Sequence, residues 1–268
     1  MDFFDNKYYK YNRFFMSLLG LWPYQEPSTK LIRSSIVQLI LSTNIFCSAA
    51  KIVTCTKNLE IIIEILIYFF TFVCITSIYM ASYIHMDKVK FLFDQIKNDW
   101  MEFRNTEQFF IVKHYAEESR IYTLLFMVVF LYFFPVSFSA CIVAILAAPM
   151  ISIIMDVIVP LNETRPHKLP IQIELFIDEN EYYYTSCIII TLLSCGIIIT
   201  MIGSYSMFTT YVQHACGMFS LAGNALEQIL NELELTENKC KSVTNIHENI
   251  VRGIKYHNKA MQLRIRNF

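Results

Sequence analysis

The sequence predicts an all-α membrane protein of four transmembrane helices, with long cytoplasmic helical extensions and both termini in the cytoplasm. Three observations predict it. Charged residues make up 17% of the chain against 55% hydrophobic, where a soluble domain carries about a quarter charged. Those charges are clustered, and four long windows between them are almost free of charge. The lysines and arginines outside the windows fall mostly on one side of the implied membrane.

The first window runs from Arg33 to Lys51, its apolar stretch continuing to Cys55, and the second from Glu64 to Asp87, with only His85 inside it. The third, between Arg120 and Asp156, holds 35 uncharged residues, and the fourth, between Glu181 and Glu227, holds 45, broken only by His214. Crossing the roughly 30 Å hydrocarbon core takes about 20 residues of helix. One such run could be a buried core helix, but four in 268 residues exceed what one soluble core holds. The spans are placed at 34–55, 61–85, 121–148 and 183–210.

Of the 22 lysines and arginines, 18 lie in the segments 1–33, 86–120 and 211–268. The other four are Lys51, Lys57, Arg165 and Lys168. The positive-inside rule makes the first three segments cytoplasmic. Splitting the fourth window into two spans would level the count at 11 against 11 and place Gln213, His214, Gly217 and Asn224 in lipid. One span running on as a long cytoplasmic helix fits better. The acidic loop 149–182 is then extracellular, and it holds the only N-x-[ST] sequon, Asn162-Glu163-Thr164, making Asn162 a candidate glycosylation site. Its prolines Pro160, Pro166 and Pro170 predict irregular structure, and Pro135 predicts a kink in the third span.

The cytoplasmic loop 86–120 carries Val89, Leu92, Ile96, Trp100 and Phe103 at helical spacing, with Asp94, Asp99 and Glu102 between them. Leu226, Ile229, Leu230 and Leu233, then Ile246, Ile250, Ile254 and Met261, form a similar pattern in 211–268. These read as amphipathic helices that extend the bundle below the membrane or lie on the lipid surface. Continuity with the spans favours extension.

Nothing points to catalysis, a metal or a cofactor. His247-Glu248 begins like a zinc motif, but residue 251 is Val. The eight cysteines show neither a CxxC pair nor zinc spacing and read as small packing residues. No basic tract suggests nucleic acid, and no mid-span charge suggests an ion-coupled transporter. What the spans offer is an apolar, aromatic interior with a few small polar groups. In the outer half of span two stand Tyr68, Phe69, Phe70 and Phe72; in span three Ser137, Ala140, Cys141 and Ala144; at the start of span four Tyr183, Tyr184, Cys187, Ile188 and Thr191. Candidate ligand contacts are Tyr68, Phe69, Phe72, Ser137, Ala140, Cys141, Ala144, Tyr184, Ile188 and Thr191, around a cavity suited to a small, uncharged, mostly apolar molecule. Helix packing and lipid contact are the competing roles for each of them.

Three local sequences carry a resemblance. Tyr11-Asn12-Arg13-Phe14-Phe15-Met16-Ser17-Leu18-Leu19-Gly20-Leu21-Trp22-Pro23 precedes span one. Gln213-His214-Ala215-Cys216-Gly217-Met218-Phe219, followed by Leu226-Glu227, comes after span four, and Val251-Arg252 with His257-Asn258 stands near the end. In order and spacing they make the chain resemble insect odorant receptors, most of all those of ants and other Hymenoptera, over essentially its whole length. The resemblance implies a cytoplasmic N-terminus and an odorant-gated cation channel, a hetero-tetramer with an obligate co-receptor in the plasma membrane of olfactory sensory neurons. It also implies a pocket for volatile odorants in the outer half of the membrane, among spans two, three, four and six. Members have seven spans, and this sequence reaches Phe268 on the approach to a fifth, so a fragment lacking the pore-lining part is expected. A non-conducting four-span scaffold and a gustatory-receptor relative are the alternatives.

Overall fold

A computed structural model describes residues 3–55, 59–130, 132, 169, 171–178, 181–235 and 239–265. The helices are α1 (Lys10–Leu18), α2 (Pro27–Thr54), α3 (Leu59–Ile84), α4 (Met86–Phe103), α5 (109–130), α6 (Tyr183–Leu235) and α7 (Lys239–Ile265), with a short 3-10 turn at Phe3–Asp5. Among the described residues α2, α3 and the part of α6 from Tyr183 to Asn231 are long and apolar enough to cross a membrane. The protein is an all-α membrane protein. Most of the third expected span lies outside the described residues, as do Pro135, Pro160 and Asn162.

The N-terminal segment is built by local rules. The Asn6 carboxamide oxygen accepts hydrogen bonds from the Tyr8 and Tyr9 amides at 2.9 and 3.2 Å, an Asx turn that leads into α1. Helix α1 ends where Gly20 takes φ +70°. There Leu21 N–H donates to Met16 C=O at 2.8 Å and Gly20 N–H to Ser17 C=O at 3.3 Å, the Schellman pairing that closes a helix C-terminus. Helix α2 starts at Pro27, earlier than the expected span, because proline at the first helical position gives up no hydrogen bond.

Helix α6 decides the architecture. Its 53 residues make a rod of roughly 80 Å at about 1.5 Å per residue, far longer than the hydrocarbon core. It crosses the membrane beside α2, touching it where Gly196 meets Ile40, and its other end carries α1, α5, α4 and α7. A Cβ on Gly196 would lie 2.8 Å from Ile40 Cγ2, so the two helices approach closely there. At Gly203 it receives Leu19 and Phe15 of α1 in the same way.

The bundle around the far end of α6 corrects two sequence expectations. On α7 the stripe Ile250 and Ile254 is 41% and 56% exposed, while Asn249, Gly253, Tyr256 and Ala260 are buried. Small residues decide the face: a Cβ on Gly253 would stand 3.7 Å from Ala225 Cβ and 3.8 Å from the Ala222 carbonyl of α6. On α4, Val89, Leu92, Ile96 and Phe103 are buried as their spacing predicts, but Asp99 is buried with them.

Candidate functional site

The membrane-crossing part of the bundle is apolar by construction. From Ile65 to Ile84 on α3 and from Tyr183 to Thr210 on α6 there is no charged side chain. Several of its hydroxyls bond back into their own helices. Thr76 donates to Phe72 C=O at 2.7 Å, Thr191 to Cys187 C=O at 2.8 Å, Ser194 to Ile190 C=O at 2.8 Å and Thr200 to Gly196 C=O at 2.8 Å. Such walls select an occupant by shape and burial rather than by polar contacts.

Phe72 is buried and Tyr68 and Phe69 half-buried on α3; the Tyr68 and Phe72 rings stack at 6.4 Å. Tyr68 and Phe72 belong to a core shared with Leu41, Ile75 and Ile197. On α6 the geometry divides the candidates. Thr191 is half-buried, but Tyr184 and Ile188 are 52% and 59% exposed. Tyr183, Ser186, Cys187 and Ile190 are buried instead, one step around the helix. Tyr183, Cys187 and Ile190 share a second cluster with Cys47 of α2 and with Leu169 and Ile173 of the loop before α6. The structure therefore brings Tyr68 and Phe72 together, and places neither Tyr184 nor Ile188 with them. Ser137, Ala140, Cys141, Ala144 and Asn162 lie outside the described residues. Leu169 and Ile173 carry no sequence signal, being two apolar residues in a proline-rich loop. The small residues Ser186 and Gly196 mark the packed side of α6 and could have been read from the sequence.

A polar seam continues below. The Asn12 carboxamide donates to Thr210 Oγ1 and its oxygen accepts from Thr123 Oγ1 at 3.3 Å. Ser119 and Thr210 share a hydrogen bond of 3.1 Å. All four residues are buried, so the seam pins α1 to α5 and α6. Asn12→Ala is expected to cost about 1–2 kcal/mol in thermal unfolding, because the Thr123 and Thr210 hydroxyls keep their bonds to the carbonyls four residues back. Next to it, Tyr9, Ser119, Thr210 and His214 line a cavity of about 10 Å³, the space of one water.

The seam ends in charge. Lys259 of α7 donates to Asp99 at 2.5 Å and to Glu102 at 2.7 Å, Lys255 donates to Glu102 at 2.6 Å, and His214 lies 3.1 Å from Asp99. Burial pushes the Asp99 carboxyl up, but the hydrogen bonds from His214 and Lys259 outweigh it, and the group sits below the usual carboxylate range. Glu102 is lowered by Lys255 and Lys259 against the same opposing burial. Burial pulls Lys259 down, and its two carboxylates hold it above the ordinary lysine value. Among the described residues no group of His, Cys, Asp and Glu could hold a metal ion.

A family model for the seven-transmembrane odorant receptors matches residues 57–265, from the start of α3 through α7. The chain belongs to that family. Searches of curated proteins and of solved structures return no match. The matched region holds α4, α6 and α7, so the clasp of Asp99, Glu102, His214 and Lys259 lies wholly inside the odorant receptor homology.

Proposed function

We propose that this chain binds small, uncharged, volatile ligands in the outer half of its helix bundle. When complete and assembled with co-receptor subunits in the plasma membrane of olfactory sensory neurons, it gates a cation current in response. Membership of the odorant receptor family carries the reading. The charge-free stretches of α3 and α6 support it, since a volatile ligand brings no charge to be neutralised and few polar atoms to be satisfied. The contacts we propose are Tyr68, Phe69, Phe72 and Thr191, with the small residues Ser137, Ala140, Cys141 and Ala144 of the third span and, less centrally, Tyr184 and Ile188. Four spans, cytoplasmic termini and a glycosylated Asn162 outside the cell complete the topology.

The test is electrical. The complete receptor is co-expressed with an odorant receptor co-receptor in non-olfactory cells, and currents are recorded against a broad panel of volatiles. A current that needs both partners is expected, with Phe72→Ala moving its concentration dependence at least severalfold. A panel that evokes no more current than the co-receptor alone would sink the proposal.

A further inference from the structure

Helices α2 and α6 touch at Ile40 and Gly196 so closely that a Cβ on Gly196 would overlap the Ile40 side chain. Further out, at Cys47 on α2 and at Cys187, Ile190 and Tyr183 on α6, a third element joins them. Leu169 and Ile173, 5% and 2% exposed, sit in one buried cluster with those residues. A loop thus fills the outer end of the α2–α6 seam with two aliphatic side chains.

Glu174 holds that loop in place. Its N–H donates to the Cys47 carbonyl at 3.1 Å. Its carboxylate accepts from Thr54 Oγ1 at 3.1 Å and from the Phe176 N–H at 3.3 Å, with Lys51 Nζ at 3.8 Å. Phe176 is held at φ 58°, a conformation a bulky L residue keeps only when its surroundings impose it, and its ring lies 5.8 Å from Phe46 of α2. The segment is irregular backbone, so few of its own hydrogen bonds oppose release. What it buries is generic aliphatic surface, which an uncharged apolar molecule can replace without leaving a polar group unsatisfied.

We propose that Leu169 and Ile173 form an exchangeable plug, latched by Glu174, whose size determines which uncharged ligands the outer half of the bundle admits. This rests on the ligand-binding reading above and assigns the residues that set its specificity. A smaller plug leaves room for a longer ligand, and each methylene so accommodated strengthens binding about fourfold.

The full chain in phospholipid nanodiscs is titrated with hexanol, octanol and decanol while its thermal midpoint is followed. The reaction of Cys47 and Cys187, both buried in the plug's cluster, with N-ethylmaleimide is read by mass spectrometry. Ile173→Ala is expected to move the preference toward the longer alcohol by about fourfold per added carbon. Glu174→Gln is expected to speed labelling of the two cysteines severalfold without ligand. A folded Ile173→Ala protein with an unchanged ranking of the alcohols overturns the plug while ligand binding stands. If that variant fails to fold, Leu169→Ala makes the same comparison, and an unchanged labelling rate in Glu174→Gln overturns the latch independently. Faster labelling in Glu174→Gln with no saturable response of the wild type to any alcohol removes the ligand-binding reading, leaving the loop as structural cover.

Discussion

Lys259→Met is expected to destabilise the protein by about 3–5 kcal/mol, the cost of breaking a buried ion pair from one side. The Asp99 side chain is 2% exposed, and Lys259 is the cation that meets both it and Glu102. Without Lys259 the carboxylate remains in the interface of α4, α6 and α7 with His214 beside it. Removing the charge as well should relieve much of the loss, so Asp99→Asn combined with Lys259→Met should unfold above Lys259→Met alone. Lys255→Met should cost under about 1 kcal/mol, since Lys255 and Glu102 are 54% and 40% exposed and solvent screens the pair.

The pH dependence of these proteins separates them. In the wild type the carboxylates of Asp99 and Glu102 are lowered, so their contribution is complete above the ordinary carboxylate range near 4 and is lost as pH falls through the folded values beneath it. Lys259 is raised, so its contribution is complete below the ordinary lysine value near 10.4 and is lost as pH rises through the folded value above it. Between those limits Asp99, Glu102 and Lys259 add no slope. In Lys259→Met the burial of Asp99 has lost one of its two counterweights, His214 being the larger, so the stability gap between that variant and the wild type should narrow as pH falls. Thermal midpoints in detergent at pH 5 to 8 check both statements. A Lys259→Met midpoint within a degree or two of the wild type would show that α7 is held by packing alone.

Gly20→Val should be comparably damaging for a different reason. The left-handed φ of +70° costs a non-glycine residue roughly 1–2 kcal/mol. An added Cβ would also stand 2.8 Å from the Lys30 carbonyl oxygen and the Ser34 amide nitrogen. Both are backbone atoms of α2, which no rotamer change can move, so the overlap adds about 1–3 kcal/mol of overpacking. The turn between α1 and α2 must open, which would strain the bond that Arg33 makes to the Ser17 carbonyl at 2.7 Å. Gly223 is the internal control. Nothing lies within 4 Å of the site of its Cβ, so Gly223→Ala should stabilise α6 by roughly 0.5–1 kcal/mol through helix propensity alone. Chemical unfolding of the three proteins side by side is the measurement, and a Gly20→Val protein as stable as Gly223→Ala would refute the account of the turn.

Much of this architecture could be read from the order of the residues, because a bilayer imposes one hard demand. A long, almost uncharged run in lipid must satisfy its backbone within itself, and a helix does so; α2, α3 and the first part of α6 follow from that demand. Helix α4 was legible by another route, its apolar residues recurring at helical spacing against charged neighbours. Asp99 was the exception, its spacing from Ile96 and Phe103 placing a carboxylate on the buried face.

The faces of the membrane helices were not legible. Helix α3 is apolar almost all round, so periodicity carries no contrast between a side facing lipid and a side facing protein. Close approach made that choice, at Gly196 and Gly203 on α6 and at Gly253 on α7, where a missing side chain lets another helix in. Tertiary structure alone buried Cys187 and left Ile188 exposed, and it alone joined Lys259 to Asp99 across 160 residues. Hydrophobicity, a property of single residues, determined that the chain enters a membrane as helices; shape complementarity between distant residues decided how those helices meet.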